Sequence, residues 1–383
     1  KSQGPSLGRE ITNLNNGDLV LFRKRISALM AAQFHKGPVR LRLPGYPAAV
    51  FAWVGLVFSE WPELQISATQ FEERWKQKVP KDLSQGWTVD NAWALLLQEA
   101  RAPKERVDVR KLRGLTARSR PPVELCHPDY GDSGPIFSTI HASKGREADR
   151  VFLMLPNDLD YLNKGDIDPA EEARVYYVGA TRVKKDFFHG VARAMVTGCK
   201  LDSAPGRVAS TPFDRKVKPG IQFGLAGDID DAACISQEWC LCASEKAALE
   251  NQGNLITLWR NHAAGNEPVE VTAKNEKLVI GNKEVYRYRL LCGGKTIGWT
   301  GEPLNMDLWK TAQLTKTKTK VICGMRPPDE MEHLRLTGLR TCAIPLDPAA
   351  EGNVREPFSE SGFYLAPMVV GFPHFFFPFY KNW

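Results

Sequence analysis

Short apolar runs alternate with a helical pattern in the first part of the chain. An apolar run at 18–22 leads into Arg23, a helical pattern covers 26–34, and a second apolar run occupies 39–43. Strand, helix and strand in that order predict a βαβ unit, which begins a parallel sheet. Further apolar runs lie at 135–140, 151–155 and 186–196. The pattern therefore predicts an α/β domain built on a parallel sheet.

The parallel rhythm is interrupted between residues 47 and 124. Helical patterns occupy 48–57, 67–77 and 89–100, and a basic segment and two consecutive prolines follow. We interpret 48–124 as an inserted helical subdomain, so that the α/β domain is formed by 1–47 together with 125–204.

The last part of the chain has the alternation of β-strands. Three alternating runs at 277–280, 283–292 and 295–300 are separated by the two-residue loops 281–282 and 293–294, which suit tight hairpin turns. They predict a β-meander. A stretch rich in Pro, Ser and Gly precedes this region, so we assign 205–222 as a linker and 223–383 as a mainly β C-terminal domain.

Composition adds three constraints. The 383 residues, 43% apolar and 25% charged, are enough for two or three domains with cores of their own. Cys234, Cys240 and Cys242 form the tightest cysteine group; they favour reduced thiols over a zinc site, which needs a fourth ligand. No run reaches roughly 18 uninterrupted apolar residues, so we expect a soluble, cytoplasmic protein without a membrane partner.

Positive charge is concentrated in one segment, which we call the basic arm (residues 101–120). It holds eight basic and two acidic residues. Such a segment is either a solvated surface or a binding site for nucleic-acid phosphates. No aromatic residues are interleaved with its arginines. We therefore expect Arg110, Arg113 and Arg118 to contact the phosphates of a nucleic acid and not its bases.

Two polar blocks carry the candidate chemistry. The first, 139–147, follows an apolar strand, which would place its polar residues at the carboxyl end of that strand, where open α/β sheets bind ligands. The second, 171–182, begins just after Asp168 and Pro169, a strong helix start. In this helix we expect one packed face containing Ala173, Tyr176, Tyr177 and Ala180.

The two blocks resemble motifs V and VI of the UvrD-like superfamily 1 DNA helicases. The first fits Thr-x-His-x-x-Lys-Gly-x-Glu, and the second fits Glu-Glu-x-Arg-x-x-Tyr-Val-x-x-Thr-Arg. The run ending in Arg23 is similar to the strand that opens the second RecA-like domain of that family. Arg146, Ala148 and Val183 depart from the usual residues, at packing positions. The resemblance implies a RecA-like parallel sheet with a short helical insertion, followed by the mainly β domain.

The resemblance also implies roles for individual residues. Arg182 would be the arginine finger that stabilises charge on the transferred phosphate. Its implied nucleotide-binding residues are Glu147 at the ribose, Lys144, Arg23 and Tyr177. The residues that it implies for coupling the nucleotide cleft to single-stranded DNA are Thr139 and His141, again with Lys144.

The chain lacks the phosphate-binding loop and the Mg²⁺-holding acidic pair of the first RecA-like domain. We therefore expect a site for ATP and Mg²⁺, with the metal held mainly by an N-terminal ATPase half that is joined in cis or added in trans, and no hydrolysis by this chain alone. The expected substrate is single-stranded or partly duplex DNA. The alternative is a non-catalytic helicase-like scaffold that recruits a nuclease or another protein through its β domain.

Overall fold

The computed structural model describes residues 13–84, 86–156, 168–192, 206–213, 216–237, 244–263, 269–280, 283–319 and 327–373. Cys240 and Cys242 lie outside these ranges. The strands are β1 (Leu19–Phe22), β2 (Arg40–Arg42), β3 (Val50–Phe51), β4 (Gln65–Ile66), β5 (Arg101–Ala102), β6 (Arg106–Asp108), β7 (Ile136–Thr139), β8 (Ala148–Pro156), β9 (Val183–Ala192), β10 (Val208–Phe213), β11 (Lys216–Ile221), β12 (Ile229–Asp230), β13 (Glu270–Ile280), β14 (Lys283–Cys292), β15 (Lys295–Thr300), β16 (Glu330–Ala343) and β17 (Phe363–Val370).

The helices, in the same described ranges, alternate with these strands at first and are scattered between them later. They are α1 (Arg25–Phe34), α2 (Ala52–Phe58), α3 (Ala68–Lys78), α4 (Val89–Ala100), α5 (Val109–Thr116), α6 (Pro169–Ala180), α7 (Glu245–Ala263), α8 (Glu302–Thr319), α9 (Pro348–Gly352) and α10 (Phe358–Ser361).

The α/β region is a five-stranded sheet in the order β2-β7-β1-β8-β9, with every neighbouring pair parallel. Its central strand β1 is buried along its whole length because apolar clusters cover both faces. One cluster lies under α1 and the other under α6. The predicted α/β class and the predicted βαβ unit are confirmed.

The β region is a seven-stranded sheet in the order β12-β15-β14-β13-β16-β17, with β3 also paired to β16. The predicted meander is confirmed: β13, β14 and β15 are consecutive antiparallel neighbours. Gly293 and Gly294, between β14 and β15, both have positive φ, as a tight hairpin of this kind requires.

The inserted segment shares its core with this sheet. Phe51 in β3 pairs with Arg340 in β16. The Thr341 hydroxyl donates to the Phe51 carbonyl at 2.6 Å and accepts from the Gly55 backbone N–H of α2 at 2.7 Å. One apolar cluster accordingly runs from 50–125 into 221–369. The stretch 205–222, expected to be a linker, contains the antiparallel pair β10 and β11.

Arg335 of β16 joins the β region to the parallel sheet. It is buried, and its guanidinium donates to the carbonyls of Ala32 at 2.6 Å and His35 at 2.7 Å, and also to that of Gly37, at the end of α1. These carbonyls lie in the last turn of α1 or just beyond it, and that of Ala32 also accepts the His35 backbone N–H at 3.3 Å. The two regions are therefore bonded directly, through α1.

Candidate functional site

The turn after β7 carries the first polar block. The Thr139 hydroxyl accepts a hydrogen bond at 3.3 Å from the backbone N–H three residues later, and a single 3-10 turn follows at His141–Ser143. Gly145 has a φ of +77°, which suits glycine and lets the chain reverse toward β8. The side chains of His141 and Lys144 are exposed as a result.

This block is divided between two edges of the sheet. Thr139 ends β7, so it lies at the carboxyl edge, as predicted. Glu147 directly precedes β8 and lies at the opposite, amino edge. The expectation that all polar residues of the first block share the carboxyl edge was wrong for Glu147. Because β7 and β8 run in the same direction, the connection between them returns from the carboxyl edge to the amino edge, where Glu147 lies.

Helix α6 starts where the sequence predicts, and of the predicted face Tyr176 and Ala180 pack against the apolar cluster beneath it. The Asp168 carboxylate accepts from the backbone N–H two residues later, and proline occupies the first helical position. Tyr177 is 71% exposed and Ala173 is also exposed, so they do not belong to the packed face. That face is centred on Gly179, where an added Cβ would lie 2.9 Å from Leu153. The glycine lets α6 approach β8 closely.

The ends of the two blocks meet at the amino edge of the sheet. The Ala148 backbone N–H donates to the Arg182 carbonyl at 3.0 Å, and Ala148 pairs with Val183 as β8 and β9 begin. Glu147 lies within 3.9 Å of Lys184. Arg182 and Glu147, which are 35 positions apart in the sequence, are therefore held next to each other by backbone pairing.

The Arg182 side chain folds back along its own helix. Its Nε donates to the Val178 carbonyl at 2.9 Å, and a terminal nitrogen donates to the Thr181 hydroxyl at 3.1 Å. Both acceptors are neutral and the side chain is partly exposed. Its positive charge is available to an anion at this edge.

Arg23 is bound at the other end of α6. Its Nε lies 2.9 and 3.0 Å from the two carboxylate oxygens of Glu172, and a terminal nitrogen donates to one of them at 2.6 Å. Glu172 is buried, whereas the Arg23 side chain is 35% exposed. Arg23 extends from the carboxyl end of β1, so this pair is on the same edge of the sheet as Thr139.

Beside Thr139 and His141 lies a cleft of about 490 Å³. Its other walls come from the residues after β2 and from 127–130, two chain segments that an isolated antiparallel bridge brings together. Tyr46 and Tyr130 stack there with ring centroids 4.7 Å apart. Most of the lining is apolar, so the cleft suits a ligand with flat or apolar surfaces near one charged edge.

Three curated proteins match part of the chain. They are a probable DNA helicase II homolog from Rickettsia conorii, another from Rickettsia felis, and a DNA helicase II from Rickettsia typhi, each 39% identical over 71 residues. The family model of the UvrD-like helicase C-terminal domain matches 133–193. Residues 133–193 are therefore similar to the C-terminal domain of the UvrD-like helicases. This stretch contains the first block, α6 and the whole of β9.

The match to the UvrD-like helicases is local. The aligned part spans 17% of this chain and 11% of each Rickettsia protein. No solved structure matches the chain. Within the ranges that the structure describes, no helix has the length and apolar character needed to cross a membrane.

The exposed groups of the UvrD-like domain suit a nucleotide, not a metal. Arg182 and Lys144 are cationic donors for phosphates, and the exposed Glu147 carboxylate is an acceptor for ribose hydroxyls. Across the described residues, no group of three or more His, Cys, Asp or Glu side chains is arranged to hold a metal ion. The residues present therefore fit the phosphates and ribose of ATP, while they offer no cluster for Mg²⁺.

The basic arm, which lies outside the UvrD-like match, is divided by burial. Arg110 and Arg118 are exposed. Arg113 is buried: it donates to the carbonyls of Ile344 at 2.7 Å and Pro345 at 3.0 Å, and it pairs with Glu351 at 2.8 Å. The assignment of Arg113 to nucleic-acid phosphates is corrected accordingly, because its hydrogen bonds anchor α5 to the β region.

Apart from Thr139 and His141, sequence reasoning missed the polar groups that line the cleft. Arg42 forms a two-point ion pair with Asp129 at 2.5 and 2.9 Å. Burial, and the positive charge of Arg40 after it, lower the pKa of His127 to about 4. These residues come from segments more than eighty positions apart, so no local spacing could have indicated that they share a site. Glu172 belongs to the second block, but no sequence pattern indicated that Arg23 is its partner.

Proposed function

We propose that this chain supplies one half of the ATP site of a DNA helicase or translocase, and a surface that couples hydrolysis to single-stranded DNA. One observation carries the proposal: the backbone bond between Ala148 and Arg182 brings Glu147 and Arg182 to one edge of the sheet. A nucleotide site needs both a hydrogen-bond acceptor for the ribose hydroxyls, here Glu147, and a cationic donor for the phosphates, here Arg182.

In this proposal, Arg182 acts on charge that develops in the transition state. Its present acceptors are a carbonyl and a hydroxyl, so a phosphate oxygen would replace weaker partners without breaking an ion pair. An arginine finger is typically worth about a thousandfold or more in rate, which is on the order of 4 kcal/mol. The first RecA-like domain, in cis or in trans, would contribute the phosphate-binding loop and the metal ligands.

The cleft supports the coupling to DNA. Thr139 and His141 belong to its wall, and the same short block continues to Glu147. A shift of this block caused by nucleotide would therefore be transmitted to the cleft. Its apolar and aromatic lining suits bases of single-stranded DNA, which can stack because they are unpaired.

The test is Arg182→Ala in the complete motor, meaning this chain together with a RecA-like domain that has a phosphate-binding loop. DNA-stimulated ATP hydrolysis is expected to fall by about a thousandfold while ATP affinity changes little, because the arginine acts mainly in the transition state. Lys185→Ala is the matched control: it is exposed, lies three positions away and pairs with Asp149.

Unchanged turnover in Arg182→Ala would remove the proposal and favour the non-catalytic scaffold. Hydrolysis by the purified 383-residue chain alone would contradict the division of the site between two domains. Both results are read from the same phosphate-release assay with and without single-stranded DNA.

A further inference from the structure

An ion pair on the wall of the cleft leaves one edge of an arginine available to a ligand. Arg42 ends β2 and lines the cleft, and its Nε and one terminal nitrogen, Nη2, donate to the two carboxylate oxygens of Asp129 at 2.5 and 2.9 Å. No other residue in the described part of the chain bonds to this guanidinium. The second terminal nitrogen, Nη1, and the outer hydrogen of Nη2 therefore form two neighbouring donors.

The accessible part of this pair is the arginine. The Arg42 side chain is 14% exposed, whereas that of Asp129 is 1% exposed. The protein covers the carboxylate, so it cannot accept a hydrogen bond from a ligand. At this point of its wall the cleft therefore offers donors and no acceptor.

Hydrogen bonds on both sides fix the pair before a ligand binds. Leu41, which precedes Arg42 in β2, exchanges two backbone hydrogen bonds with Tyr130, which follows Asp129, at 2.8 and 2.9 Å. The Arg42 carbonyl accepts from the Ser138 hydroxyl of β7 at 3.0 Å. Contact with both carboxylate oxygens also restricts rotation of the guanidinium. The two remaining donors are thus held in one orientation.

The charge of Arg42 is already balanced by Asp129, which favours a neutral ligand over a phosphate. A phosphate would be attracted by the guanidinium and repelled by the carboxylate behind it. Nearby, His127 is uncharged at neutral pH, because burial and the charge of Arg40 lower its pKa to about 4. Other wall residues are Pro44, Pro47 and Pro128. A flat, neutral group with acceptors on its edge fits these surroundings, and an unpaired base is such a group.

Two neighbouring donors distinguish guanine from the other bases. Guanine presents the acceptors O6 and N7 side by side, adenine has a donor beside N7, and thymine has a single acceptor on the same edge. We propose that the cleft binds an unpaired guanine base, whose O6 and N7 accept from the two available donors of Arg42 while Asp129 fixes the guanidinium. This inference rests on the proposed function, since it requires single-stranded DNA in the cleft.

The first experiment uses the unmodified 383-residue chain. Fluorescence anisotropy measures its binding to three alternating single strands: thymine–guanine, thymine–cytosine, and thymine–7-deazaguanine, in which a C–H replaces N7. A two-point arginine contact distinguishes bases by roughly fivefold or more. About half of the binding registers place guanine in the cleft, so we expect the thymine–guanine strand to bind about threefold or more tighter than the thymine–cytosine strand.

The 7-deazaguanine strand should lose most of this preference, because it has lost one of the two acceptors. Equal affinity for the guanine and 7-deazaguanine strands would overturn the proposal. Tighter binding of the cytosine strand, whose neighbouring acceptors O2 and N3 lie on a different edge of the base, would overturn it as well.

The second experiment assigns the preference to Arg42. Arg42→Lys keeps a cation beside Asp129 and removes the second donor nitrogen, so it should bind the three strands with equal affinity. Arg40→Lys is the matched control: Arg40 lies two positions earlier in β2, donates to the Gly134 carbonyl and is not a wall residue of the cleft. It should keep the preference. A preference retained in Arg42→Lys would contradict the assignment.

A double variant separates contact with a base from contact with a phosphate. Arg42→Gln/Asp129→Asn replaces the pair without changing the net charge and leaves no buried charge unpaired. If Arg42 contacts a base, the guanine preference disappears and the slope of log affinity against log salt is unchanged. If Arg42 contacts a phosphate, that slope falls by about 0.7, and the proposal is overturned.

These results are distinguishable from a failure of the proposed function. If the unmodified chain binds all three single strands equally well, the inference about guanine fails and the proposed function stands. If it binds none of them, the inference fails together with the DNA-coupling part of the proposed function.

Discussion

Arginines have opposite roles in the two regions of the molecule. In the parallel sheet, Arg23 and Arg182 extend from the ends of β1 and α6 and keep part of their surface in solvent. In the β region and the arm that packs on it, Arg113, Arg335 and Arg340 are buried. In the first set, Arg23 is paired with Glu172 and Arg182 donates to neutral acceptors of its own segment. The second set joins distant parts of the chain to one another.

The difference arises from the partners and not from the local sequence. Arg335 and Arg113 donate to backbone carbonyls, which are fixed in place and need donors when buried. Arg182 has partners on its own helix that a ligand can replace at little cost. Burial of the guanidinium therefore distinguishes Arg113 and Arg335, which hold the fold together, from the partly exposed Arg182.

The largest expected effect on stability is at Arg335. Arg335→Met keeps an apolar stem but leaves the carbonyls of Ala32, His35 and Gly37 without this donor. We expect the free energy of unfolding to fall by about 3 to 5 kcal/mol, measured by urea denaturation. The exposed Arg118→Ala should change it by less than about 0.5 kcal/mol. Equal values for the two variants would remove the distinction between the two sets of arginines.

Arg113 tests the corrected part of the basic arm. Arg113→Ala should lower the free energy of unfolding by about 2 to 3 kcal/mol, because two carbonyls and Glu351 lose a buried partner. The salt dependence of DNA binding should not change, because the buried Arg113 guanidinium cannot contact the phosphates of bound DNA. A reduced salt slope in a correctly folded variant would restore the original assignment.

His127, which is buried near Arg40, is expected to make the free energy of unfolding depend on pH. Its pKa in the folded protein is about 4, below the ordinary value of 6.5, because it is buried and close to Arg40. As pH falls below 6.5 the unfolded chain takes up a proton that the folded one does not, so stability decreases; the loss at pH 5 is about 2 kcal/mol. His35, whose pKa is also lowered to about 4, acts in the same direction.

His127→Gln isolates this contribution. Between pH 7.5 and pH 5, the variant should lose about 2 kcal/mol less than the parent protein in urea denaturation. An identical loss of unfolding free energy in the variant and the parent would contradict the prediction, because it would mean that the pKa of His127 is the same in the folded and unfolded protein.

The smallest effect is expected on the exposed side of the arm. If Arg110 and Arg118 contact phosphates, replacing both by Ala should reduce the slope of log affinity against log salt by about 1.4 on single-stranded DNA or about 1.8 on a duplex. The loss should be similar for all sequences, as phosphates carry no sequence information. Parallel lines for parent and variant would mean that the arm is only a solvated charged surface.

Periodicity and turn chemistry predicted much of the fold. The βαβ unit, the start of α6 at Asp168 and the meander of β13, β14 and β15 follow from patterns within about thirty residues. On α6, Tyr176 packs as predicted, whereas Ala173 and Tyr177 were wrongly taken as packed, and the close contact is made at Gly179.

The remaining features depend on contacts between distant segments. Nothing near Arg113 indicates that the carbonyl of Ile344 is its acceptor, and charge composition alone favours a surface position. Glu172 likewise gave no sign of its pairing with Arg23, 149 positions away. Of the candidate site, the residues of the two blocks were found from sequence, whereas the cleft and the ion pairs needed the structure.

The pairing of β3 with β16 has a consequence for the order of events during synthesis. Phe51 and Thr341, which are 290 positions apart, bond in the same sheet. At roughly 5 to 20 residues per second, the ribosome needs about 15 to 60 s to produce β16 after β3 has emerged. During that interval the apolar side chains of α2 have no sheet to cover them. The nascent chain is therefore expected to expose this apolar surface, and to need chaperone protection, until β16 has been translated.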